Sequence, residues 1–420
     1  MRECDQRTLK VVGPDSLLRA AGFAVALEAH DLLGSLYGRR VALLCGPGLN
    51  GRDGRFAAHE LIRRGARATV IEVREAPPRL TGVDLVIDAA FGIGCSREYL
   101  APAVDAPVLA VDLPSGVDAD TGELRGQPLH ASRTLALGAL KWAHVDGPAA
   151  PYCGEIRLAR LGIHVPDTHG LLESSDLARV APRSPSDHKW RHAVQIVAGS
   201  SAMPGAALLA CQGALAAGAS LVRLTPRTSL EGPVTPAEVI VSTEVDTRVQ
   251  SLVVGPGLGP HARGWLETLT WPADAPVVLD ADALRRRTIE IFRSHPVVLT
   301  PHEGEFTRLT KRPLGAQRIP AVQALARELN VVVLLKGPRT IIASPEGHVR
   351  VVVDSSPTLA TAGSGDTLSG IIGALLAYGH TPFEAASLGA ELHGLSGRTW
   401  PLASDLAHAV HLLRLPPPHS

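Results

Sequence analysis

Short apolar runs alternate with amphipathic stretches along most of the chain, and they fall into two series. In the first, residues 41–45, 68–73, 84–88 and 108–112 read as strands, and residues 17–33 and 56–64 as helices. Nearly continuous apolar strands separated by helical patterns predict a parallel sheet covered on both faces. The periodicity fades between residues 164 and 187, where Pro166, Pro182 and Pro185 stand among Ser and Asp. That composition predicts a linker over residues 166–187, with a short helix at 175–180. The second series predicts strands at 193–198, 220–224, 251–254, 277–279, 297–299 and 331–335. Residues 340–343 and 348–353 read as an antiparallel pair across Glu346-Gly347. Helices are expected at 205–217, 365–378 and 382–396, and the tail 416–420 reads as frayed. The expected fold class is α/β in both halves, with domains at residues 1–165 and 188–420.

Composition narrows the function without identifying it. A chain of 420 residues has room for two or three domains. Lys+Arg and Asp+Glu are equal at 41 each, so no basic excess points to nucleic acid. Aromatics at 4% leave little for base-stacking platforms. The five cysteines (Cys4, Cys45, Cys95, Cys153 and Cys211) form no Cys-x-x-Cys pair. That argues against a zinc ribbon or disulfide framework and for a reducing compartment. Met1-Arg2-Glu3-Cys4-Asp5 is charged with no apolar segment behind it, and runs such as 371–377 are too short to span a bilayer. The expectation is a soluble cytoplasmic protein.

The first candidate site gathers at strand ends. Residues 41–45 run into Gly46-Pro47-Gly48-Leu49-Asn50-Gly51-Arg52-Asp53-Gly54, a glycine-dense loop before a helix. Such a loop lets backbone amides approach an anion, although a tight surface turn has the same composition. Asp88 precedes Ala89-Ala90-Phe91-Gly92-Ile93-Gly94, and Asp112 precedes Leu113-Pro114-Ser115-Gly116. Ligands of open parallel sheets bind beyond the C-terminal strand ends. Three consecutive ends therefore deliver Asn50, Asp88, Asp112 and Ser115 to one crevice. Their oxygens suit a hard cation, and one carboxylate suits proton acceptance; a lone Asp is more often a cap or turn former.

The second candidate site is the run Ala360-Thr361-Ala362-Gly363-Ser364-Gly365-Asp366 ahead of a helix. Small residues let amides converge at a helix start, where the dipole favours a phosphate, and Asp366 is placed to accept a proton. The plainer alternative is a helix capped by Ser364 or Asp366. Four more strand ends carry Gly255-Pro256-Gly257-Leu258-Gly259, Asp280-Ala281-Asp282-Ala283, Thr300-Pro301-His302-Glu303-Gly304-Glu305 and Lys336-Gly337-Pro338-Arg339-Thr340.

These motifs resemble two families. The first half is similar to the N-terminal domain of NAD(P)H-hydrate epimerases, a Rossmann-like three-layer sandwich. The resemblance implies a potassium ion on Asn50, Asp88 and Ser115. It also implies substrate contact and proton transfer by Asp112, and a dinucleotide lined by Leu49, Asn50, Gly51, Arg52, Asp53, Gly92, Ile93 and Gly94. Leu49 stands where that family has Asn, and Arg52 where it has Gly. A residue with a Cβ takes positive φ at a cost, which sets Arg52 against epimerisation; an arginine there also offers a bidentate phosphate contact.

The second half, about residues 188–397, resembles the NAD(P)H-hydrate dehydratase branch of the ribokinase-like kinases, again a three-layer sandwich. His188-Lys189 keep that family's pattern, whereas Trp190, Ala193 and Ser200 replace usual glycines. The resemblance implies an adenine nucleotide, ADP, at Lys336, Gly337, Pro338, Arg339, Thr340, Gly363, Ser364 and Gly365. It places the hydrated NADH or NADPH against Gly257, His302, Glu303, Gly304 and Glu305, with Asp366 as the base and Mg²⁺ on the phosphates. It also implies self-association. A small-molecule kinase with a non-catalytic N-terminal binding domain remains the alternative, because fold does not fix function. A dehydrogenase is disfavoured: the loop lacks Gly-x-Gly-x-x-Gly spacing, and only Glu72 lies near the place of a ribose-binding acid.

Overall fold

The computed structural model describes residues 13–95, 97–180, 186–230, 236–353, 355–398 and 402–414. The charged N-terminal pentapeptide, Pro182, Pro185 and the tail 416–420 lie outside them. The chain divides into two compact units, Met1–Asp167 and Thr168–Ser420.

The first unit is built on α1 (Pro14–Leu33), β1 (Arg40–Cys45), α2 (Leu49–Arg63), β2 (Arg67–Glu72), β3 (Leu85–Ala89), β4 (Val108–Val111), β5 (Arg133–Leu137) and β6 (Glu155–Ala159). The strands form one parallel sheet in the order β6-β5-β4-β3-β1-β2. Alternate residues of a strand face opposite sides, and both sides are buried. Val41, Leu43, Leu85, Ile87 and Leu109 pack with Val25, Ala57 and Leu61 of the helices. Ala42, Leu44, Val86, Val108 and Ala110 pack instead beneath extended segments carrying Leu80, Leu129 and Ala131. Strands β5 and β6 were not expected. Their charges hide them: Arg133 of β5 is buried with ion pairs to Glu28, Asp31 and Glu155.

The second unit contains β7 (His169–Leu172), β8 (Ala193–Val197), α3 (Pro204–Ala216), β9 (Leu221–Thr225), β10 (Val239–Val241), β11 (Ser251–Val254), β12 (Val277–Leu279) and β13 (Val297–Leu299). They are followed by α4 (Glu303–Thr310), α5 (Arg318–Leu329), β14 (Val332–Leu335), β15 (Thr340–Ala343), β16 (Val349–Val352), α6 (Ser364–Ala377), α7 (Pro382–Ser396) and α8 (Ala403–Arg414). Its sheet runs β7-β16-β15-β14-β13-β12-β11-β8-β9-β10. It is parallel from β10 to β14 and antiparallel across β14-β15-β16, so the expected antiparallel addition is present. Strand β7 and the short 3-10 helix Ser174–Arg179 lie inside the stretch expected as a linker; β7 pairs in parallel with β16.

Helices α3, α6 and α7 cover one face, meeting Val194, Ile196, Val253, Val278 and Val298. Helix α5 packs on β14 and β15. Helix α6 lies directly on α3 because two glycines permit it. A Cβ on Gly370 would stand 2.0 Å from the carbonyl oxygen of Ala210, and one on Gly213 2.2 Å from that of Thr367. Among the described residues no helix is long and apolar enough to cross a membrane.

Candidate active sites

In the first unit the glycine-dense run is helix from Leu49 on, with only residues 46–48 left as loop. Helix α2 starts at Leu49 with Gly48 as N-cap, seven residues before the expected start. The glycines serve close packing. A Cβ on Gly51 would stand 1.9 Å from the Gly46 carbonyl oxygen, and one on Gly54 2.6 Å from the Ala89 Cβ. Asn50 and Asp53, three residues apart, share one face of this helix and are both 8% exposed. Leu49 and Arg52 point outward and are exposed. Arg52 does not take positive φ, so the conformational objection to it falls.

Asp88, the penultimate residue of β3, is fully buried. Its Oδ2 accepts from the Ser115 amide at 2.8 Å, and its Oδ1 from the Ser115 hydroxyl at 2.5 Å and the Ala90 amide at 3.3 Å. Burial raises its carboxyl above the usual range against those hydrogen bonds. Among the described residues no cation pairs with it. Asn50 Nδ2 is likewise buried without a partner.

Asp112, directly after β4, has φ 69°. The Leu113 amide donates to the Val111 carbonyl at 2.9 Å, making Asp112 the centre of a γ-turn of the rare positive-φ kind. A Cβ on Gly92 would stand 3.4 Å from Asp112 Oδ2 and 3.5 Å from Asn50 Oδ1, so Gly92, Asn50 and Asp112 border one small space. Burial, then the Asp112 charge, pushes the Asp53 carboxyl up to about 7. Ile93 and Gly94 follow Gly92 in a turn. The Glu72 carboxylate is held by Arg55 at 2.6 and 2.7 Å and is not offered to a ribose.

In the second unit, Gly363 at φ 88° is the N-cap of α6, without a side-chain cap. The Ser364 hydroxyl turns back to the Leu359 carbonyl at 2.7 Å, so neither Ser364 nor Asp366 caps the helix. The first amides of a helix have no acceptor within it. Here those of Ser364 and Thr367 bond to Thr361 and Gly363 carbonyls. Among the described residues, the amides of Gly365 and Asp366 are left without a backbone acceptor.

Lys336, at the end of β14, reaches this point. Its Nζ would stand 3.1 Å from a Cβ on Gly365. It lies 2.9 Å from Asp280 Oδ1 and 4.0 Å from Glu305 Oε2. Burial works against its charge, but Asp280 and Glu305 raise the ammonium above its usual range. Ser369 of α6 donates to Asp280 Oδ2 at 2.6 Å. Burial, then the Asp280 charge, pushes the Asp366 carboxyl up to about 7, with Lys336 opposing. Asp366 thus shares a cluster with Lys336.

The remaining expected contacts divide. Glu305 is buried and accepts from the His302 amide at 2.9 Å, while the His302 ring accepts from the amides of Gly304 and Glu305. That reciprocal cap starts α4 and leaves His302, Glu303 and Gly304 exposed. Gly257, at φ 64°, lies against Met203 and Ala206, and the Ser200 hydroxyl donates to its carbonyl at 2.8 Å. Gly337 sits under Arg318, Pro338 accepts from Ser355 at 2.6 Å, and Arg339 donates to the Val353 carbonyl. Of residues 336–340, Lys336 joins the carboxylates; Thr340 opens β15.

A family model described as NAD(P)H-hydrate dehydratase matches residues 194–415, and one described as YjeF-related protein N-terminus matches 14–81 and 72–143. The bifunctional NAD(P)H-hydrate repair enzyme Nnr of Mycobacterium leprae (strain TN) is 38% identical over 431 residues, spanning 92% of this chain and 89% of its own. That of Mycobacterium tuberculosis (strain ATCC 25618 / H37Rv) is 39% identical, spanning 89% and 87%. The chain belongs to the bifunctional NAD(P)H-hydrate repair enzymes. Its first unit is Rossmann-like and its second ribokinase-like. A solved ADP/ATP-dependent NAD(P)H-hydrate dehydratase from Bacillus subtilis, co-crystallised with ATP and Mg²⁺, superposes with a TM-score of 0.51 at 29% identity, over 57% of this chain and 96% of that one. A ribokinase-like superfamily protein from Enterococcus faecalis V583 shares the fold, with a TM-score of 0.52 at 23% identity, over 60% of this chain and 97% of that one.

For a repair enzyme of two sites, sequence reasoning missed three side chains. Asp280 stood in a quoted motif without a role; its tie to Lys336 spans 56 residues and is invisible in one dimension. Lys141 and His144 follow the unexpected strand β5 and reach Asp112. A lone lysine just past the mostly apolar run 135–140 was the available signal.

Proposed function

We propose that this chain repairs hydrated NADH and NADPH, with the R and S hydrates exchanged at the first site and the S hydrate dehydrated at the second using ADP. The observation that carries the second half is Asp366: a carboxyl raised to about 7 beside free amides of a helix start and the Lys336 ammonium. A base poised near neutrality suits proton removal from a hydroxyl. Asp366 takes the proton of the ring hydroxyl, whose oxygen attacks the terminal phosphoryl of ADP, releasing AMP. The phosphorylated oxygen then departs as phosphate, driven by the ring nitrogen lone pair, and loss of a ring proton restores the double bond. The amides of Gly365 and Asp366, with Lys336, stabilise the charge on the moving phosphoryl group.

Asp280, Glu305, Asp282 and Asp366 outnumber the one lysine among them. That excess of negative charge fits Mg²⁺ bound with phosphate oxygens. When bound, the ion neutralises phosphate charge. At the first site, the oxygen set of Asn50, Asp88 and Ser115 fits potassium, because a buried carboxylate without a counter-cation is costly. There Asp112 serves proton transfer at the carbon bearing the hydroxyl, and the α2 start and Gly92 turn line the dinucleotide. The protein is proposed to work in the cytoplasm.

The test is Asp366→Asn in the full chain. Calorimetry should still show ADP binding, while ADP-dependent recovery of reduced-nicotinamide absorbance from the S hydrate falls by about 10³-fold. Recovery at the wild-type rate would remove Asp366 from the chemistry.

A further inference from the structure

Lys141 is an expensive residue. Its side chain is 6% exposed and ion-paired with an Asp112 side chain that is 10% exposed. Taking both charges out of water costs several kcal/mol each, and apolar replacements of buried pairs are often neutral or stabilising. Packing alone does not call for the pair. Its geometry offers another reason.

Asp112 sits in a γ-turn at positive φ, a conformation that persists only where surroundings over-determine it. Here they do. The Asp112 amide donates to the Leu135 carbonyl at 2.8 Å. His144 Nε2 meets the Asp112 carbonyl at 2.6 Å. The Lys141 amide donates to His144 Nδ1 at 2.9 Å, which leaves the ring proton on Nε2 and makes that nitrogen the donor. Burial depresses His144 to about 4, keeping it neutral. On the side chain, Oδ1 receives the Lys141 ammonium and the Leu137 amide at 3.1 Å. The same ammonium donates to the Leu137 carbonyl at 2.7 Å. Every one of these bonds falls on the backbone or on Oδ1. Among the described residues Oδ2 accepts none, and it is Oδ2 that faces the space beside Gly92 and Asn50.

We propose that Lys141 and His144 are positioning residues of the first site: they pin the backbone and one oxygen of Asp112 so that the other oxygen is presented to substrate. The proposal rests on the reading of Asp112 as the proton-transfer group. A carboxylate free to turn about its last bond would offer either oxygen over a range of angles. With Oδ1 fixed by two donors, Oδ2 points one way. Misplacement by about 1 Å is worth about 10²-fold in rate.

The experiment follows exchange of R and S hydrates by the full chain. Lys141→Met should lower kcat by about 10²-fold with KM within about threefold, because the loss falls on alignment rather than binding. Lys141→Arg restores a cation and should recover to within about tenfold of wild type. His144→Leu, without the donor to the Asp112 carbonyl, should lose about tenfold in kcat. ADP-dependent dehydration of the S hydrate by the same preparations should not change, which reports that the second unit is folded, and an unchanged circular-dichroism spectrum and melting profile report the same of the first. A Met variant with more than half the wild-type kcat, or Arg and Met variants equally impaired, would overturn the proposal. Asp112→Asn separates the two readings. If it is inactive while Lys141→Met is active, the pinning role fails alone; if it is active, the assignment of Asp112 fails as well.

Discussion

Asp112 and Asp366 both sit in candidate sites with a lysine nearby, and the two lysines are used differently. In the first unit Lys141 bonds directly to Asp112 and locks one of its oxygens. In the second, Lys336 bonds to Asp280 and leaves Asp366 to burial and like charge, which push it up to about 7. A lysine on a carboxylate fixes its direction. A lysine held one carboxylate away supplies charge to the site while leaving the base able to take a proton near neutrality. The contrast suits an alignment-limited proton transfer in one unit and hydroxyl activation beside phosphate in the other.

The contrast breaks most sharply at Asp280. Because the proposed base Asp366 would accept a proton only when ionised, dehydration by the wild-type protein should fall as pH drops through about 7. Asp280→Asn removes the charge that most raises Asp366 after burial and unties Lys336. The acid limb of the pH–rate profile should move to lower pH and kcat should fall about 10- to 100-fold. An unmoved limb would mean that another group sets it. A smaller effect is expected at the helix start. Gly363→Ala places a Cβ at φ 88° and 2.2 Å from Leu209 Cδ1. The cost is about 1–3 kcal/mol, seen as a melting point lowered by roughly 2–10 °C and as weaker nucleotide binding. The smallest effect belongs to the first unit. Arg52→Gly restores the residue usual in the family at an exposed helical position, so exchange of hydrates should stay within about twofold while helix stability drops by about 0.5–1 kcal/mol. A tenfold gain in exchange would show that the arginine side chain obstructs the site.

What the sequence revealed follows from which residues carry ordinary signals. Strands 251–254, 277–279, 297–299 and 340–343 match the observed elements residue for residue because all but Ser251 and Thr340 are apolar and all but Thr340 are buried. Strand β5 escaped because its buried charge, Arg133, is neutralised by partners more than 20 residues away in sequence. With β5 went the strand end that carries Lys141 and His144. The start of α2 escaped because Gly51 and Gly54 look like loop, whereas their role is to let helix backbone touch strand end. Asp112 was found as a polar strand end. Its γ-turn was hidden, since positive φ at a non-glycine leaves no mark in composition.

The paired glycines between α3 and α6 carry a consequence for ligand choice. Backbone rests on backbone there, with no flexible side chain to absorb sliding, so the helix start proposed to meet phosphate is held against its neighbour. Two nucleotides differing by one phosphate would find the same immobile seat. Telling them apart then falls to the loops around that seat, and swapping loop residues should retune the preference without disturbing the seat itself.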